Sequence, residues 1–555
     1  MEYNQKTDRK EKNLRDMLHH AGDVYKGRDM LRIRTEGRQI RGIGHQTFMD
    51  DMNALGNALL GLGLADKNIA IIGSTSYEWL VSYFAVLCGV GAAVPIDKEL
   101  QDDEIANIIA DSEAACVIFA GEYQDTMQSI AASLPEAICY IDMDLPEAED
   151  DYLGLYGLIE QGKQESRGYE QREIDETSMA SLLYTSGTTG KSKGVMLSQK
   201  SILAASEGGL SLLEIGKVCL SVLPVHHSFE CTHGIVMMIQ NGTTICINNS
   251  LRYFADNLKL FQPDAVFLVP LFIERLEYMI WKDAREKNRE EELRALIAKS
   301  NDEMKRGIDN RDEYFRDIKE LFGGNLKLLL CGGAPLPARL MRSFREMGIM
   351  LVVGYGITEC SPLVSVNGNR CYRDGSAGVP IPCCEVKIVD VDGNGEGEIW
   401  VKGDNVMLGY YKNEQATRQA MKDGWFDTGD IGHFDEDGFL FVTGRKKNLI
   451  VLSNGKNVYP EEIEDFIKQR ISYISEIVVY APLVNGMNEK SLCAEVYLQE
   501  EYTAGKEAEE IRAKLDQDIQ KVNRLLPAFK SIQQLRIRDR EFEKTTKKSI
   551  KRFSI

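Results

Sequence analysis

Hydroxyl, glycine and lysine residues crowd one short stretch of the chain. Four Ser or Thr residues and two glycines fill positions 185–190, directly after an apolar run, and lysines follow at 191 and 193. Glycine lets backbone N–H groups turn toward an anion, and the hydroxyl and ammonium groups add further donors. The stretch therefore favours a loop that holds a polyphosphate. Its candidate binding residues are Thr185, Ser186, Gly187, Thr188, Thr189, Gly190, Lys191 and Lys193.

The spacing of this loop differs from that of a Walker A motif. That motif needs four residues between its first glycine and the Gly-Lys-Ser, but only two residues separate Gly187 from Gly190. A P-loop nucleotide hydrolase is therefore disfavoured. Taken alone, the stretch is also compatible with a flexible surface loop.

A second polar turn combines an aromatic ring with a hydroxyl and a carboxylate. Tyr355 lies between Gly354 and Gly356, and Thr358 and Glu359 follow. The tyrosine ring offers a flat face for a purine, and the threonine hydroxyl can bond a phosphate. A carboxylate beside a phosphate is repelled unless Mg²⁺ lies between them, which makes Glu359 the candidate metal ligand.

Two further turns are candidates for ligand contact. Three of the seven histidines fall within positions 226–233. A zinc site formed there with Cys231 fits no standard ligand spacing, and an inert core histidine is the plain alternative for His227. The residues Gly332, Gly333 and Ala334 end another apolar run. Ligands bind at such strand ends in open α/β sheets, although a tight turn without a ligand would have the same sequence.

The elements that must position these turns follow from the hydrophobic pattern. Apolar runs of strand length, such as 68–72, 92–96, 116–120, 265–269 and 326–331, alternate with amphipathic stretches such as 102–111. This alternation predicts parallel sheets covered by helices. Residues 282–319 are dense in charge and predict an exposed helical insertion that extends to about 324, either solvated or partner-binding. Glycine-rich turns after 375 predict a small β-rich unit, and residues after 445 predict an α+β unit.

Composition narrows the class of protein. The formal net charge of −19 argues against a nucleic-acid partner, which needs a basic surface. Residues 77–96 approach the length of a membrane span, but Glu78 and Pro95 favour a buried helix followed by a turn and a strand. The first fifteen residues are charged throughout and lack an apolar secretory core, and the twelve cysteines suit a reducing compartment. A cytoplasmic location is expected.

The segment 183–194 resembles the phosphate-loop signature of the adenylate-forming superfamily, which includes acyl-CoA synthetases, peptide-synthetase adenylation domains and firefly-type luciferases. Further segments agree with this family, in its order, across nearly the whole chain. The resemblance implies an α/β fold with a large N-terminal domain (1–444) of two parallel-type sheets flanked by helices, with a small β-rich subdomain at about 375–444. A mobile α+β C-terminal domain (445–555) would follow. ATP, Mg²⁺ and CoA are the implied cofactors.

The resemblance also implies roles for residues. His227 would orient the acid or steady charge near the reacting phosphate, and the turn at 332–334 would lie along the adenine and the acyl chain. Tyr355, Gly356 and Thr358 would contact the nucleotide, and Glu359 would ligate Mg²⁺. Asp430 and Arg445 would bind the ribose. Lys447 would be the hinge of the C-terminal domain, although a solvated charge cluster is the alternative interpretation of this position. Gly455 and Lys456 would belong to a loop that meets the pantetheine arm.

The C-terminus departs from the family pattern. The family carries a lysine just before an Ile/Leu-x-Arg ending, where it bridges the carboxylate and the α-phosphate. Aligned on Ile550 and Arg552, that position is Ser549, and the neighbouring Lys548 is the candidate substitute. Losing this charge contact altogether would cost roughly 10²–10³ in rate. A non-catalytic protein that binds adenylates or acyl ligands is therefore the alternative from another class.

Three segments, 226–231, 358–362 and the charged insertion, most resemble long-chain fatty acyl-CoA synthetases. The expected function is ATP-dependent activation of a carboxylic acid, most simply a medium- or long-chain fatty acid, to acyl-AMP. Transfer to CoA would then give acyl-CoA, AMP and pyrophosphate. An aryl-acid CoA ligase and an acyl-carrier-protein ligase remain alternatives. Peripheral contact with a membrane is compatible with an insoluble substrate.

Overall fold

The computed structural model describes residues 11–135, 138–149, 151–185, 192–393, 395–452, 457–484, 487–488, 491–544, 550 and 552. The chain divides into two compact units, Met1–Val386 with Val401–Phe426 and Lys387–Trp400 with Asp427–Ile555. The domain boundary predicted between residues 444 and 445 would instead assign residues 387–400 and 427–444 to the N-terminal domain. This boundary stays a prediction.

The first unit contains two large sheets of mainly parallel strands. The first sheet has nine strands. Its middle strands pair in parallel, and the outer pairs at both edges are antiparallel. In spatial order the strands are Val379–Pro380, Leu363–Val366, Met350–Gly356, Leu328–Cys331, Ala265–Leu268, Val218–Ser221, Thr244–Ile247, Asp29–Arg34 and Ile40–Gly44.

The second large sheet has eight strands. Five of its pairs are parallel, and the two pairs at one edge are antiparallel. Because the inner strands Ala92–Ile96, Asn68–Ile72 and Ala114–Phe119 are almost wholly buried, their sequences are nearly continuous apolar runs. In spatial order they are Gly409–Tyr410, Lys193–Ser198, Met179–Thr185, Ala92–Ile96, Asn68–Ile72, Ala114–Phe119, Cys139–Asp142 and Leu153–Gly154.

Helices cover these sheets through apolar residues at helical spacing. Asp102–Asp111 buries Ile105, Ile108 and Ile109, which share one face because they are three or four positions apart. The other helices of this unit outside the charged insertion are Leu14–Val24, His45–Gly61, Tyr77–Ala85, Gln124–Ala131, Leu155–Gln164, Gln199–Leu210, Met237–Asn241, Phe254–Phe261, Ala338–Glu346 and Glu414–Ala420.

The apolar stretch at 77–96 has the predicted order of a buried helix, a turn and a strand. Ser76 caps the helix Tyr77–Ala85, a wider π-helical turn occupies Val86–Val90, and the strand is Ala92–Ile96. Within the described ranges, no helix has both the length and the apolar character needed to cross a membrane.

Helices occupy most of residues 282–324, the segment of the predicted charged insertion. They are Pro270–Glu286, which begins before this segment, Glu290–Lys305, Arg311–Tyr314 and Arg316–Leu321. Leu293, Leu296 and Ile297 pack one side of the second helix against the core of the first unit. The insertion also carries ion pairs such as that of Arg289 with Asp317, which contribute little stability because both partners are exposed.

A small five-stranded sheet lies between residues 384 and 445 of the chain. It consists of Cys384–Val389, Gly397–Gly403, Trp425–Phe434, Met421–Lys422 and Leu440–Arg445. The last two strands both pair antiparallel with Trp425–Phe434.

The C-terminal part of the second unit combines a three-stranded sheet with helices. The strands are Ile474–Tyr480, Leu492–Leu498 and Ile532–Ile537, and the helices are Pro460–Lys468, Glu500–Thr503 and Ala508–Asn523. Short two-stranded pairs join Ile450–Val451 to Asn457–Val458 and Leu483–Val484 to Met487–Asn488. The predicted architecture of two parallel-type sheets, a small β-rich part and an α+β end is confirmed.

Candidate active site

A β-hairpin holds both ends of the predicted phosphate loop. Strand Met179–Thr185 pairs antiparallel with strand Lys193–Ser198, and the register places Thr185 directly opposite Lys193. These two predicted binding residues are therefore neighbours across the hairpin. The other six, Ser186, Gly187, Thr188, Thr189, Gly190 and Lys191, lie outside the described residues.

A tyrosine connects the end of this hairpin to the predicted metal ligand. The Nζ atom of Lys193 lies 5.0 Å from the ring centroid of Tyr410, within the range of a cation–π contact. The Tyr410 hydroxyl donates a hydrogen bond of 2.9 Å to Oε1 of Glu359. Burial and the adjacent Glu359 carboxylate raise the pKa of Tyr410 above its usual range, so the hydroxyl keeps its proton and stays a donor.

The backbone fixes the position of this tyrosine. Strand Gly409–Tyr410 pairs with the hairpin strand Lys193–Ser198, and Tyr410 lies opposite Val195. Nearby, the Met407 N–H donates to the carbonyl oxygen of Glu359 at 2.8 Å. The segment therefore contacts both the hairpin and Glu359. Tyr410 is not among the residues predicted from the sequence, since a tyrosine after a glycine does not reveal which carboxylate it will contact.

The predicted purine-binding turn ends the strand Met350–Gly356. Tyr355 and Gly356 are its last residues, and the short turn Thr358–Cys360 follows. A Cβ atom at Gly356 would lie 1.6 Å from the carbonyl oxygen of Pro362, so the site requires glycine. Thr358 is buried, and its Oγ1 accepts a hydrogen bond of 3.4 Å from the Ser228 hydroxyl.

The histidine segment meets this turn. It follows the strand Val218–Ser221, and Ser228 provides the bond to Thr358. The rings of His226 and His227 lie side by side, with centroids 4.2 Å apart. Among the residues that the structure describes, the side chains of His226, His227 and Asp97 lie close enough to share a metal. The zinc alternative considered from the sequence used Cys231 in place of Asp97.

The glycine turn at 332–334 lies against an aromatic side chain. Gly332 follows the strand Leu328–Cys331, and a Cβ atom there would lie 3.0 Å from the ring of Phe229. The Phe229 ring packs edge-on against Phe267, with centroids 5.7 Å apart. Gly333 adopts a positive φ of 83°, which favours glycine. The turn and the histidine segment therefore share an apolar wall.

The predicted ribose pair is formed within the second unit. Asp430 and Arg445 lie opposite each other on antiparallel strands. Arg445 Nε is 2.8 Å from Asp430 Oδ1, and the aspartate side chain is only 4% exposed. Lys447 lies in the exposed turn Lys446–Asn448 that follows. Of the remaining predicted residues, Gly455, Lys456 and Lys548 lie outside the described residues, as does Ser549.

Comparison with known proteins identifies the family of this chain. The model of the AMP-binding enzyme family matches residues 28–411, and that of the AMP-binding enzyme C-terminal domain matches residues 447–555. This chain belongs to the AMP-binding enzyme family. The predicted membership of the adenylate-forming superfamily is confirmed. The long-chain-fatty-acid–CoA ligase FadD15 of Mycobacterium bovis is 31% identical to this AMP-binding enzyme over 447 residues, which cover 77% of the chain and 72% of the relative.

Solved structures share the fold of this AMP-binding enzyme. The anthranilate CoA ligase AuaEII in complex with anthranoyl-AMP has a TM-score of 0.78 at 21% identity, covering 98% of this chain and 96% of that one. A fatty acyl CoA synthetase of Mycobacterium tuberculosis has a TM-score of 0.67 at 20% identity, covering 98% and 97%. At these identities the likeness shows the fold alone.

Proposed function

We propose that this AMP-binding enzyme activates a medium- or long-chain fatty acid with ATP and transfers the acyl group to CoA. The observation that carries the proposal is the contact chain from Lys193 through Tyr410 to Glu359. It holds an ammonium group and a carboxylate at the base of the phosphate loop. A polyphosphate with its divalent cation needs these two charges.

In the first step, a carboxylate oxygen of the acid attacks the α-phosphorus of ATP. The bond from the α-phosphorus to the bridging oxygen breaks, and pyrophosphate leaves with the electron pair. Such reactions depend on positioning and charge neutralisation more than on covalent chemistry by the protein. The loop from Thr185 to Lys193 would bind the β- and γ-phosphates, and Lys548 would approach the reacting carboxylate.

Glu359 fits the role of a magnesium ligand. Its carboxylate is half-buried, and the Tyr410 hydroxyl orients it through Oε1. Mg²⁺ prefers such oxygen ligands, and a bound ion would neutralise negative charge on the phosphates. Thr358, held by Ser228, would donate its hydroxyl to the α-phosphate, and His227 would orient the acid.

Within the second unit, the Asp430 carboxylate would accept hydrogen bonds from the ribose hydroxyls. Arg445 pairs with this buried carboxylate and orients it. In the second step, the CoA thiolate attacks the acyl carbon of the acyl-adenylate, and AMP leaves. We assign Lys447 to the hinge of this step, and Gly455 and Lys456 to the loop that meets the pantetheine arm.

The fatty-acid assignment is supported by the name of the FadD15 relative and by the apolar wall of Phe229 and Phe267 beside Gly332. An aryl-acid CoA ligase is the second candidate. The aromatic wall of Phe229 and Phe267 favours it, since an aromatic acid could also pack against these rings.

The test is ATP–pyrophosphate exchange without CoA, measured for a series of fatty acids of increasing chain length and for anthranilate. We expect exchange with one range of fatty-acid lengths, and we expect Lys548→Ala to abolish it. Exchange with anthranilate alone would establish the second candidate.

If no acid supports pyrophosphate exchange, the serine at position 549 becomes the first explanation to test. Exchange restored by Ser549→Lys would show that the rest of the site is intact and that the natural chain is impaired in its first step. If the Ser549→Lys variant also shows no exchange with any of these acids, the enzyme assignment is refuted.

A further inference from the structure

A cluster in the first unit consists of Asp97, His226 and His227. Of these three residues, the proposed adenylation step gives a role only to His227. Asp97 directly follows the strand Ala92–Ile96, and the histidines follow the strand Val218–Ser221. One potential ligand atom of each residue lies within 4.8 Å of those of the other two. Asp97 Oδ1 is 3.2 Å from His226 Nε2.

This close approach is not an aligned hydrogen bond. Neither ring nitrogen of His226 has a hydrogen-bond partner in the part of the chain that the structure describes, although the side chain is only 5% exposed. A buried imidazole without a partner costs free energy. Two ligands of a tetrahedral zinc ion lie about 3.3 Å apart when each is about 2.0 Å from the metal. The separation of Asp97 and His226 suits that geometry.

The charges of the cluster also suit a cation. His226 and His227 offer imidazole nitrogens to a divalent ion, and the carboxylate of Asp97 offers negative charge. Oδ1 also accepts a 2.9 Å hydrogen bond from the Glu99 N–H, which orients the group. Asp97 and His227 are half-buried, which leaves a path from solvent.

We propose that Asp97, His226 and His227 form a binding site for one divalent transition-metal ion, with Zn²⁺ as the preferred ion. Two imidazoles and one carboxylate are a usual ligand set for zinc, whereas Mg²⁺ prefers oxygen ligands alone. The site is therefore distinct in chemistry from the magnesium ligand Glu359. Because His227 is the residue proposed to orient the acid, a metal bound there inhibits the adenylation step. The inhibition rests on the proposed function, and the binding does not.

Binding is tested on the full-length protein after removal of metals with a chelator and dialysis. Co²⁺ is added, and its visible ligand-field absorption is recorded; Zn²⁺ is then added to displace it. We expect one equivalent of Co²⁺ to produce a tetrahedral spectrum without thiolate charge-transfer bands, and one equivalent of Zn²⁺ to remove it. Zinc should also raise the melting temperature, since a ligand of the folded state stabilises it.

Two variants test the ligands. Asp97→Asn and His226→Gln should each weaken Co²⁺ and Zn²⁺ binding by about 10-fold or more, since losing a ligand costs at least as much as losing its supporting partner. The matched control is His20→Gln, which removes an exposed imidazole and should bind like the wild type. If one of the two ligand variants does not fold, the other variant and the cobalt spectrum of the wild type still test the site.

Three results would overturn the site: no cobalt spectrum at one equivalent, binding unchanged in both variants, or strong thiolate bands that identify cysteine ligands. The inhibition is tested separately by adding Zn²⁺ to the exchange assay. Zinc should inhibit exchange by the wild type, and the same inhibition of His226→Gln should need a zinc concentration at least about 10-fold higher. Equal sensitivity of the two proteins to zinc would contradict inhibition through this site. Metal binding in a protein that shows no exchange activity, even as the Ser549→Lys variant, would leave the metal site standing and refute the proposed function.

Discussion

The phosphate side of the first unit and the ribose pair of the second unit are built in opposite ways. Glu359 receives its hydrogen bond from Tyr410, 51 residues later in the chain, on a strand that is added to the edge of a large sheet. Asp430 and Arg445 face each other across one antiparallel strand pair. The first arrangement depends on the packing of the whole unit, whereas the second depends on a single register.

The largest expected effect comes from the carboxylate at the centre of the long-range arrangement. Glu359→Gln keeps the shape of the side chain but removes the charge proposed to hold Mg²⁺. We expect pyrophosphate exchange to fall roughly 10²–10³-fold, as for a lost charge contact to a reacting phosphate. Glu286→Gln, which changes an exposed glutamate of the helical insertion, is the control and should leave the rate unchanged. A loss of less than about threefold in Glu359→Gln would remove it from the site.

The strand-local pair should show a smaller effect, mainly on nucleotide binding. Asp430→Asn leaves Arg445 without its carboxylate and weakens the proposed ribose contacts, so the KM for ATP should rise roughly 10-fold. Steady-state kinetics with varied ATP measure it. Asp516→Asn changes an exposed ion-paired aspartate of the same unit and serves as the control. An unchanged KM would contradict the ribose assignment and leave the pair as a structural contact.

The hydroxyl of Tyr410 tests the long-range link itself. Tyr410→Phe keeps the ring under Lys193 and removes the hydrogen bond to Glu359. A hydrogen bond to a charged group contributes about 1.5–3 kcal/mol, so exchange should fall about 10-fold or more. The Mg²⁺ concentration for half-maximal rate should rise, which a purely structural role would not produce.

The adjacent Tyr411 offers a matched control for that experiment. Its hydroxyl bonds the exposed Glu113, so Tyr411→Phe should behave like the wild type. Tyr410→Leu removes the ring as well and should lose more activity than Tyr410→Phe. Equal activity of the phenylalanine and leucine variants would show that the contact with Lys193 contributes nothing.

The smallest effect concerns stability and the buried carboxylate of Glu230 in the first unit, which accepts a hydrogen bond from Ser221, nine residues earlier in the chain. Burial raises the pKa of Glu230 to about 8, although the Ser221 hydroxyl donates to it. Between the unfolded pKa of about 4.3 and this value, the folded protein holds a proton that the unfolded chain has lost. The free energy of unfolding therefore decreases as pH rises through this window.

Glu230→Gln removes this proton linkage while keeping the size of the side chain. Its melting temperature relative to the wild type should rise by a few degrees between pH 5 and pH 8. The exposed Glu160→Gln provides the baseline, since its relative melting temperature should not change with pH. A constant difference between Glu230→Gln and the wild type would show that Glu230 stays ionised.

Much of the fold could be predicted because it follows from local patterns. The strands Asn68–Ile72 and Ala92–Ile96 and the helix Asp102–Asp111 have the predicted bounds. Each is marked by periodicity and by turn residues at its ends. Within the stretch at 77–96, the α-helix that begins at Tyr77 ends at Ala85, where the chain widens into a π-helical turn. Apolar residues continue through that turn, so the hydrophobic pattern does not mark the change.

The candidate site likewise contains features that local sequence patterns predict and contacts that they do not. The sequence placed Tyr355, Gly356 and Thr358 in a turn after a strand, because glycines and polar residues follow an apolar run there. It could not show that Tyr410 reaches Glu359 or that Asp97 reaches His226. Those contacts join strands that are distant in the chain, and their meeting depends on the order of the strands within the sheets.

The sequence by itself determined the family, the alternation of strands and helices, and the residue types that can bind phosphate, magnesium and ribose. Only the tertiary structure decided which of these side chains meet. The physical reason is one of range: periodicity and turn chemistry act over a few residues, whereas a hydrogen bond or metal contact requires atoms within about 3 Å. Residues far apart in the chain come that close only after the sheets have assembled and packed.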